Sequence, residues 1–333
     1  MSVLVQHWAF DPVLVVLAVA AAVYTRGVRR LNRRAPRGRR QRRWRQGAFF
    51  YVSLVVVALA ISSPVDYWSD RYLWSHMVQH VLLMFAAPIP LVASAPWVPL
   101  QHGLPVAVRR PVVRALATAG WSAPLRAATR GLTSPWVAVA AFNAAMVVWH
   151  LPGPFDWGQH STLVHIWLEH GSFFVAGVAF WLQFINSRPF RVRLTPSGQM
   201  AAIFITSIVM WFLAMAMSVF SAGPWYPWYL AHEGSTLTPF ADQQIAAGIL
   251  WICGDFWAVP AMVRAVRRLM DAGEAAGAAG ALDRFLSGVR RRPQPEPTAV
   301  LSLGTQLTAH QLAERQAAAV LAAHRTGAPL SGG

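Results

Sequence analysis

The chain has 333 residues, of which 55% are hydrophobic and only 13% charged, against about a quarter charged in a soluble domain. Its net charge of +16 is carried by arginine, without a single lysine. The arginines fall between apolar runs, as topology signals do, so nucleic acid is excluded as a partner, and a single cysteine, Cys253, excludes an intrachain disulfide and any CxxC motif.

Several apolar runs are long enough to cross a bilayer. The expected fold class is an all-α polytopic membrane bundle of seven transmembrane helices. The first span covers about Trp8–Tyr24. It lacks a basic n-region and a small-residue cleavage site, so it reads as a retained helix rather than a signal peptide. Arg26–Arg45 follows with eleven arginines. The positive-inside rule makes this loop cytoplasmic and puts the N-terminus outside. The second span runs about Gly47–Ile61. Ser62–Trp74 then carries Asp66, Asp70 and several aromatic residues but only one arginine, Arg71, and belongs on the outer face.

The third span, Ser75–Pro96, reads SHMVQHVLLMFAAPIPLVASAP. Pro88 and Pro90 are expected to interrupt or kink it. Arg109, Arg110, Arg114, Arg126 and Arg130 make the Trp97–Ser134 loop cytoplasmic. The fourth span, Pro135–Leu151, ends in WHLPGPFDWG. The fifth covers Gln159–Ile185 and leads to Arg188, Arg191 and Arg193 on the inner side. The sixth is Pro196–Phe220. An arginine-free aromatic segment, Ser221–Thr238, lies outside. The seventh, Pro239–Val263, ends at Arg264, Arg267 and Arg268, so the C-terminus is inside. Residues 1–268 thus form the membrane domain. Residues 269–333, rich in Ala, Gly and Pro, read as a disordered cytoplasmic tail with one short helix over Thr305–His324.

This topology rests on arginines alone, and the histidines follow it. His76 and His80 lie one turn apart on one face of the third span. His150 ends the fourth span on the same outer side, His160 and His165 open the fifth, and His232 lies in the last outer segment. His170 sits deeper in the fifth span. Intramembrane histidine is costly and marks function by default. Imidazoles gathered from several segments suit a metal ion, and Met77, Met84, Met210, Met215 and Met217 add thioether sulfur, which favours Cu(I). His165 and Glu169 share a helix face. Glu169 is a ligand or the partner that orients one. Asp242 opens the seventh span on the outer side. Glu169, Asp242 and Asp255 should all face the bundle interior. The candidate metal residues are His76, His80, His150, His165, Glu169, His170 and Asp242, with copper as the metal. A haem held by histidines from different helices is the alternative cofactor, and a copper transporter, with His170, Cys253 and Asp255 continuing a polar path, is the alternative activity. A scaffold with histidines as interhelical glue is the bland reading.

Three blocks carry a resemblance. HMVQHVLLMFAAPIPLVASAP, WHLPGPFD followed by HIWLEHGSFFVAGVAFW, and DQQIAAGILWICGD occur in this order between Trp74 and Arg268. They resemble the CtaG family of polytopic membrane proteins, linked to assembly of caa3-type cytochrome c oxidase. The resemblance implies a non-enzymatic assembly factor in the bacterial plasma membrane. Its partners would be oxidase subunits and the lipid bilayer, with copper handled at the outer face. By motif position it carries over the same seven candidate residues, from His76 in the first block to Asp242 in the third.

Overall fold

The computed structural model describes residues 7–231, 237–290, 310–318 and 321. His232, Glu233 and His324 lie outside the described residues. The regular structure among the described residues is helical, and the sole β feature is an isolated bridge between Ser187 and Phe190. Four helices are long and apolar enough to cross a membrane: Arg37–Ser62, Leu73–Ser94, Pro196–Ser218 and Pro239–Gly273. A fifth span results if the pair Gly120–Leu132 and Pro135–Trp149, bent by 91°, is taken as one. This is a multi-pass helical membrane protein.

Helix α1, Val13–Asn32, and α2, Arg37–Ser62, take up most of the arginines expected in a loop. Arginine is a good helix former, and the chain turns only over residues 33–36, with Pro36 just ahead of α2. Tyr24 of α1 stacks on Phe50 of α2 with ring centroids 3.9 Å apart. A short helix α3, Pro64–Ser69, follows, with the Ser63 side chain accepting from the Val65 N–H at its start.

Helix α4, Leu73–Ser94, is the third span. Its prolines do not interrupt it. Residues Leu82–Ala86 form a π-helical turn, and Ala87 N–H bonds the Leu82 carbonyl five residues back at 2.8 Å. The wider turn absorbs the N–H that Pro88 lacks. Ser53 of α2 donates to the Ala87 carbonyl at 2.8 Å. Ala95, with φ of 49°, ends the helix in the left-handed region.

The arginine-rich segment after α4 is also helical: α5 Trp97–Gly103, α6 Val106–Thr118 and α7 Ala123–Leu132. Neither α6 nor α7 buries a residue. Their apolar positions, Val112 and Leu125 among them, are exposed between arginines, as in helices that lie at a membrane surface. Then come α8, Pro135–Trp149, and the short α9, Pro152–Gln159. Helix α10 spans residues 164–181, a π-helical first part, Val164–His170, running into α-helix Gly171–Trp181. Gly177 lets α10 close on α4, since a Cβ there would lie 2.6 Å from the Met84 carbonyl oxygen. Helices α11, Pro196–Ser218, and α12, Pro227–Ala231, precede α13, Pro239–Arg290.

The chain divides into two compact units, residues 1–269 and 270–333. The second contains the end of α13 and a helical stretch over 310–318. Helix α13 continues to Arg290 through GEAAGAAGA, where composition suggests a flexible linker. Alanine's helix propensity offsets the glycines there. The core of the first unit packs Met77, Met84, Phe142, Met146, Phe155, Phe173 and Met217, all fully buried.

Candidate metal centre

The His76/His80 pair stands on α4 as the four-residue spacing requires, with ring centroids 4.3 Å apart. Helix α10 faces it. In an α-helix, residues five apart point about 140° away from each other, which would turn His170 away from His165. The π-helical turn reduces this offset, because its hydrogen bonds join residues five apart. The His165 and His170 rings therefore meet, with centroids 4.2 Å apart. Glu169 projects between α10 and α4. Its Oε1 lies 3.4 Å from His76 Nε2 and 3.2 Å from His80 Nε2, and its Oε2 is 3.1 Å from His165 Nδ1.

His150, just past the end of α8, completes the group, its ring 5.2 Å from that of His80. His76 lies 5.1 Å from His165 and 5.9 Å from His170 by ring centroid. The side chains of His76, Glu169 and His150 are wholly shielded, those of His80 and His170 nearly so, and His165 is 14% exposed. Phe155 and Phe173 pack against the rings at 4.8 and 4.4 Å from His76 and His80.

Protons can be assigned at two rings. The Met146 carbonyl only accepts, so His150 Nδ1 donates to it at 2.5 Å. The lone pair of neutral His150 is then on Nε2, 3.1 Å from Met77 Sδ. The Glu169 carboxylate likewise accepts from His165 Nδ1, leaving His165 Nε2 free. At His76, Nδ1 has Tyr229 Oη at 3.4 Å and the Gln159 amide at 3.3 Å. Tyr229 gives its own proton to the Ser69 carbonyl at 2.7 Å. Burial raises the Tyr229 phenol well above its ordinary value, so it stays protonated.

Many atoms of the group have no hydrogen-bond partner: His76 Nε2, both ring nitrogens of His80 and of His170, and Glu169 Oε1. The approaches of His76 and His80 to Glu169 are close but not aligned as hydrogen bonds. Two overlapping sets of ligand atoms lie within 4.8 Å of one another: His76, His80 and Glu169, and His76, His165 and His170.

Asp242 is not in this cluster. Both of its oxygens accept backbone N–H groups at the start of α4, Leu73 at 2.6 Å and Trp74 at 3.0 Å. It serves as a cap from another helix. Asp255 departs from expectation too: it is exposed on α13, one residue beyond the buried Gly254 and so off the interior face. Cys253 is half-buried. His160 is 62% exposed beside Asp156, and His102 is bonded to the Val98 carbonyl near the opposite end of α4. Met84, Met210 and Met217 are core residues, and Met215 is half-buried. Met77 meets the cluster through its sulfur and Met146 through its backbone carbonyl, both at His150.

Four residues around the site carry no local signal in the sequence. Gln159 and Tyr229 reach His76 from distant segments. Tyr226 donates to the His150 carbonyl at 2.9 Å. Gly158 abuts the cluster, since a Cβ on it would lie 2.6 Å from Glu169 Oε2.

Fold and site together define a polytopic helical membrane protein with a buried histidine–carboxylate cluster near one end of its bundle. The family described as cytochrome c oxidase caa3 assembly factor (Caa3_CtaG) matches residues 22–272. The chain belongs to that family. No curated protein and no solved structure matches it.

Proposed function

We propose that this chain assists assembly of a haem–copper cytochrome c oxidase by holding copper as cargo in the His76/His80/Glu169/His165/His170 cluster and passing it to an oxidase subunit. In this reading the protein is not an enzyme. It crosses the bacterial plasma membrane seven times, N-terminus out and C-terminus in, so the cluster opens toward the outer face. The family match supports the oxidase link. The arginine alternation supports the orientation.

The observation that carries the copper reading is the set of orphan atoms. A buried polar atom without a partner costs about 1–3 kcal/mol, and an unpaired charge more. Here His76 Nε2, Glu169 Oε1 and both nitrogens of His80 and His170 share this condition within one small volume. A cation would satisfy them together. Imidazole nitrogen suits copper, and Met77 Sδ beside His150 adds a soft donor on the same side. His76 belongs to both ligand sets. An ion could change sets by exchanging one ligand at a time, which suits a carrier that must release what it binds.

The test is metal analysis of the detergent-purified, tag-free protein with an absorption spectrum, alongside oxidase activity of the membranes. Copper near one equivalent should fall to background in His76→Ala/His80→Ala, and oxidase activity should fall while the protein stays in the membrane. Full oxidase activity in that variant would sink the proposal. A Soret band would replace copper with haem.

A further inference from the structure

At the other end of α4 the protein carries a second concave site with the opposite chemistry. Ala95 lies 19 residues beyond His76, roughly 28 Å along the helix at 1.5 Å per residue. Around it opens a cavity of about 650 Å³. Its walls hold Arg39, Arg42 and Arg43 from the first turns of α2, and Arg188 and Arg191 from the turn after α10. Its apolar lining comes from Leu31, Val98, Pro99 and Phe190. No acidic residue among the described residues lines it. Among the described residues no arginine is ion-paired with a carboxylate.

One of the five arginines is fixed in place. Arg43 donates to the Leu31 carbonyl at 2.7 Å and to Asn32 Oδ1 at 3.1 Å, clamping the turn between α1 and α2. Arg39, Arg42, Arg188 and Arg191 are exposed. Four guanidinium groups at the rim of one cavity repel each other unless an anion sits among them. Their planar forks match phosphate oxygens, which take two N–H bonds from one arginine. The apolar lining distinguishes this cavity from a plain basic surface, since it can receive the start of an acyl chain beneath a head group.

We infer that this cavity binds a phosphate-bearing anion, and that its combination of arginine rim and apolar lining selects the head group of an anionic phospholipid. Basic pockets between transmembrane helices are known to hold such head groups. The site is separate from the histidine cluster and does not depend on the copper reading. A free phosphate or diphosphate offers the same oxygens without the chain, so the experiment must separate the two sources.

The full-length protein, delipidated in detergent, is titrated with phosphatidylglycerol and with phosphatidylcholine in native mass spectrometry, and separately with inorganic pyrophosphate by calorimetry. The expected result is at least tenfold preference for phosphatidylglycerol, lost in Arg39→Gln/Arg42→Gln/Arg188→Gln/Arg191→Gln and kept in Arg126→Gln/Arg130→Gln, whose arginines lie on α7 outside the cavity. Arg43 is left intact because it holds the turn. If the fourfold Gln variant does not fold, the corresponding Lys variant keeps the charge but not the fork, and should lose part of the preference. Pyrophosphate binding that the fourfold variant abolishes, without lipid preference, would keep the phosphate site but overturn the lipid assignment. Equal binding of the two lipids with no binding of pyrophosphate, or unchanged preference in the fourfold variant, would overturn the inference altogether.

Discussion

Replacing Glu169 by glutamine separates a metal site from a structural ion pair by the sign of two effects. The substitution keeps the side-chain shape and leaves an amide carbonyl to accept from His165 Nδ1, now at 3.1 Å from Glu169 Oε2. It removes a negative charge that is wholly buried and whose Oε1 lacks a hydrogen bond. Without metal, the loss of a buried charge that no cation neutralises should leave the protein equally stable or stabilise it. With metal the sign reverses. A unit charge about 4 Å from a cation contributes about 4 kcal/mol at an effective dielectric near 20. Loss of a residue that only orients a ligand typically lowers affinity about 10- to 100-fold. Glu169→Gln should therefore weaken Cu(I) binding between about tenfold and a thousandfold, since each 1.4 kcal/mol is a factor of ten. Competition against a chromophoric Cu(I) chelator gives the affinity, and melting in detergent with and without Cu(I) gives the stability. If the variant bound Cu(I) as the parent does and melted lower without metal, Glu169 would be a helix-to-helix ion pair and the cargo argument would fail.

Other substitutions test the frame around the site. Gly158→Ala places a Cβ 2.6 Å from Glu169 Oε2, so it should displace the carboxylate and reduce copper occupancy while the protein still folds, read by metal analysis and size exclusion. Asp242→Ala removes the acceptor for the Leu73 and Trp74 N–H groups and should lower stability by about 1–2 kcal/mol, the cost of a lost cap, with copper stoichiometry unchanged. A change in bound copper without a change in melting would return Asp242 to the ligand set. Asp66, on α3, accepts from Gln79 Nε2 at 2.8 Å, and burial pushes its carboxyl up to about 6. A raised native value means that protonation favours the fold, so its contribution is fully present below the unfolded carboxylate range and is lost as pH rises through about 6. Going from pH 7.5 to 5 should stabilise the parent relative to Asp66→Asn by about 1 kcal/mol or less, allowing for partial solvent screening; identical pH profiles would contradict this.

Much of this architecture is legible in the sequence because hydropathy and helical spacing are local signals. The His76/His80 pair and the His165/Glu169 contact both follow from four-residue spacing, and the structure has them at 4.3 Å between rings and 3.1 Å between atoms. His170 is different. Its meeting with His165 depends on a π-helical turn that no simple pattern announces, in a segment, VHIWLEH, with neither Pro nor Gly inside it. The arginine loops misled in another way. Arginine and alanine favour helix, so α6 and α7 form where the sequence predicts a loop. Asp242 shows the limit of reading charge alone. A carboxylate at a helix start looks like a ligand until the backbone N–H groups of a distant helix are found on it.

The energetics of burial distinguish the cluster from the rest of the interior. Elsewhere in the first unit, buried polar side chains mostly find partners. Gln243 bonds the Met217 carbonyl at 2.7 Å, Gln199 the Gln183 carbonyl at 2.7 Å, and Gln79 both the Ala60 carbonyl and Asp66. Where an amide oxygen there is unpaired, as in Gln79, Asn143 and Gln183, the nitrogen of the same group is bonded. His80 and His170 have neither nitrogen bonded, and they lie within 5.8 Å of each other beside the unpaired Glu169 Oε1. Helix-to-helix glue would pair these atoms, because pairing is what makes buried polar contacts stabilising. In the proposed reading a cation is what imidazoles left without hydrogen bonds around one carboxylate would hold, and Glu169 is the residue through which that reading stands or falls.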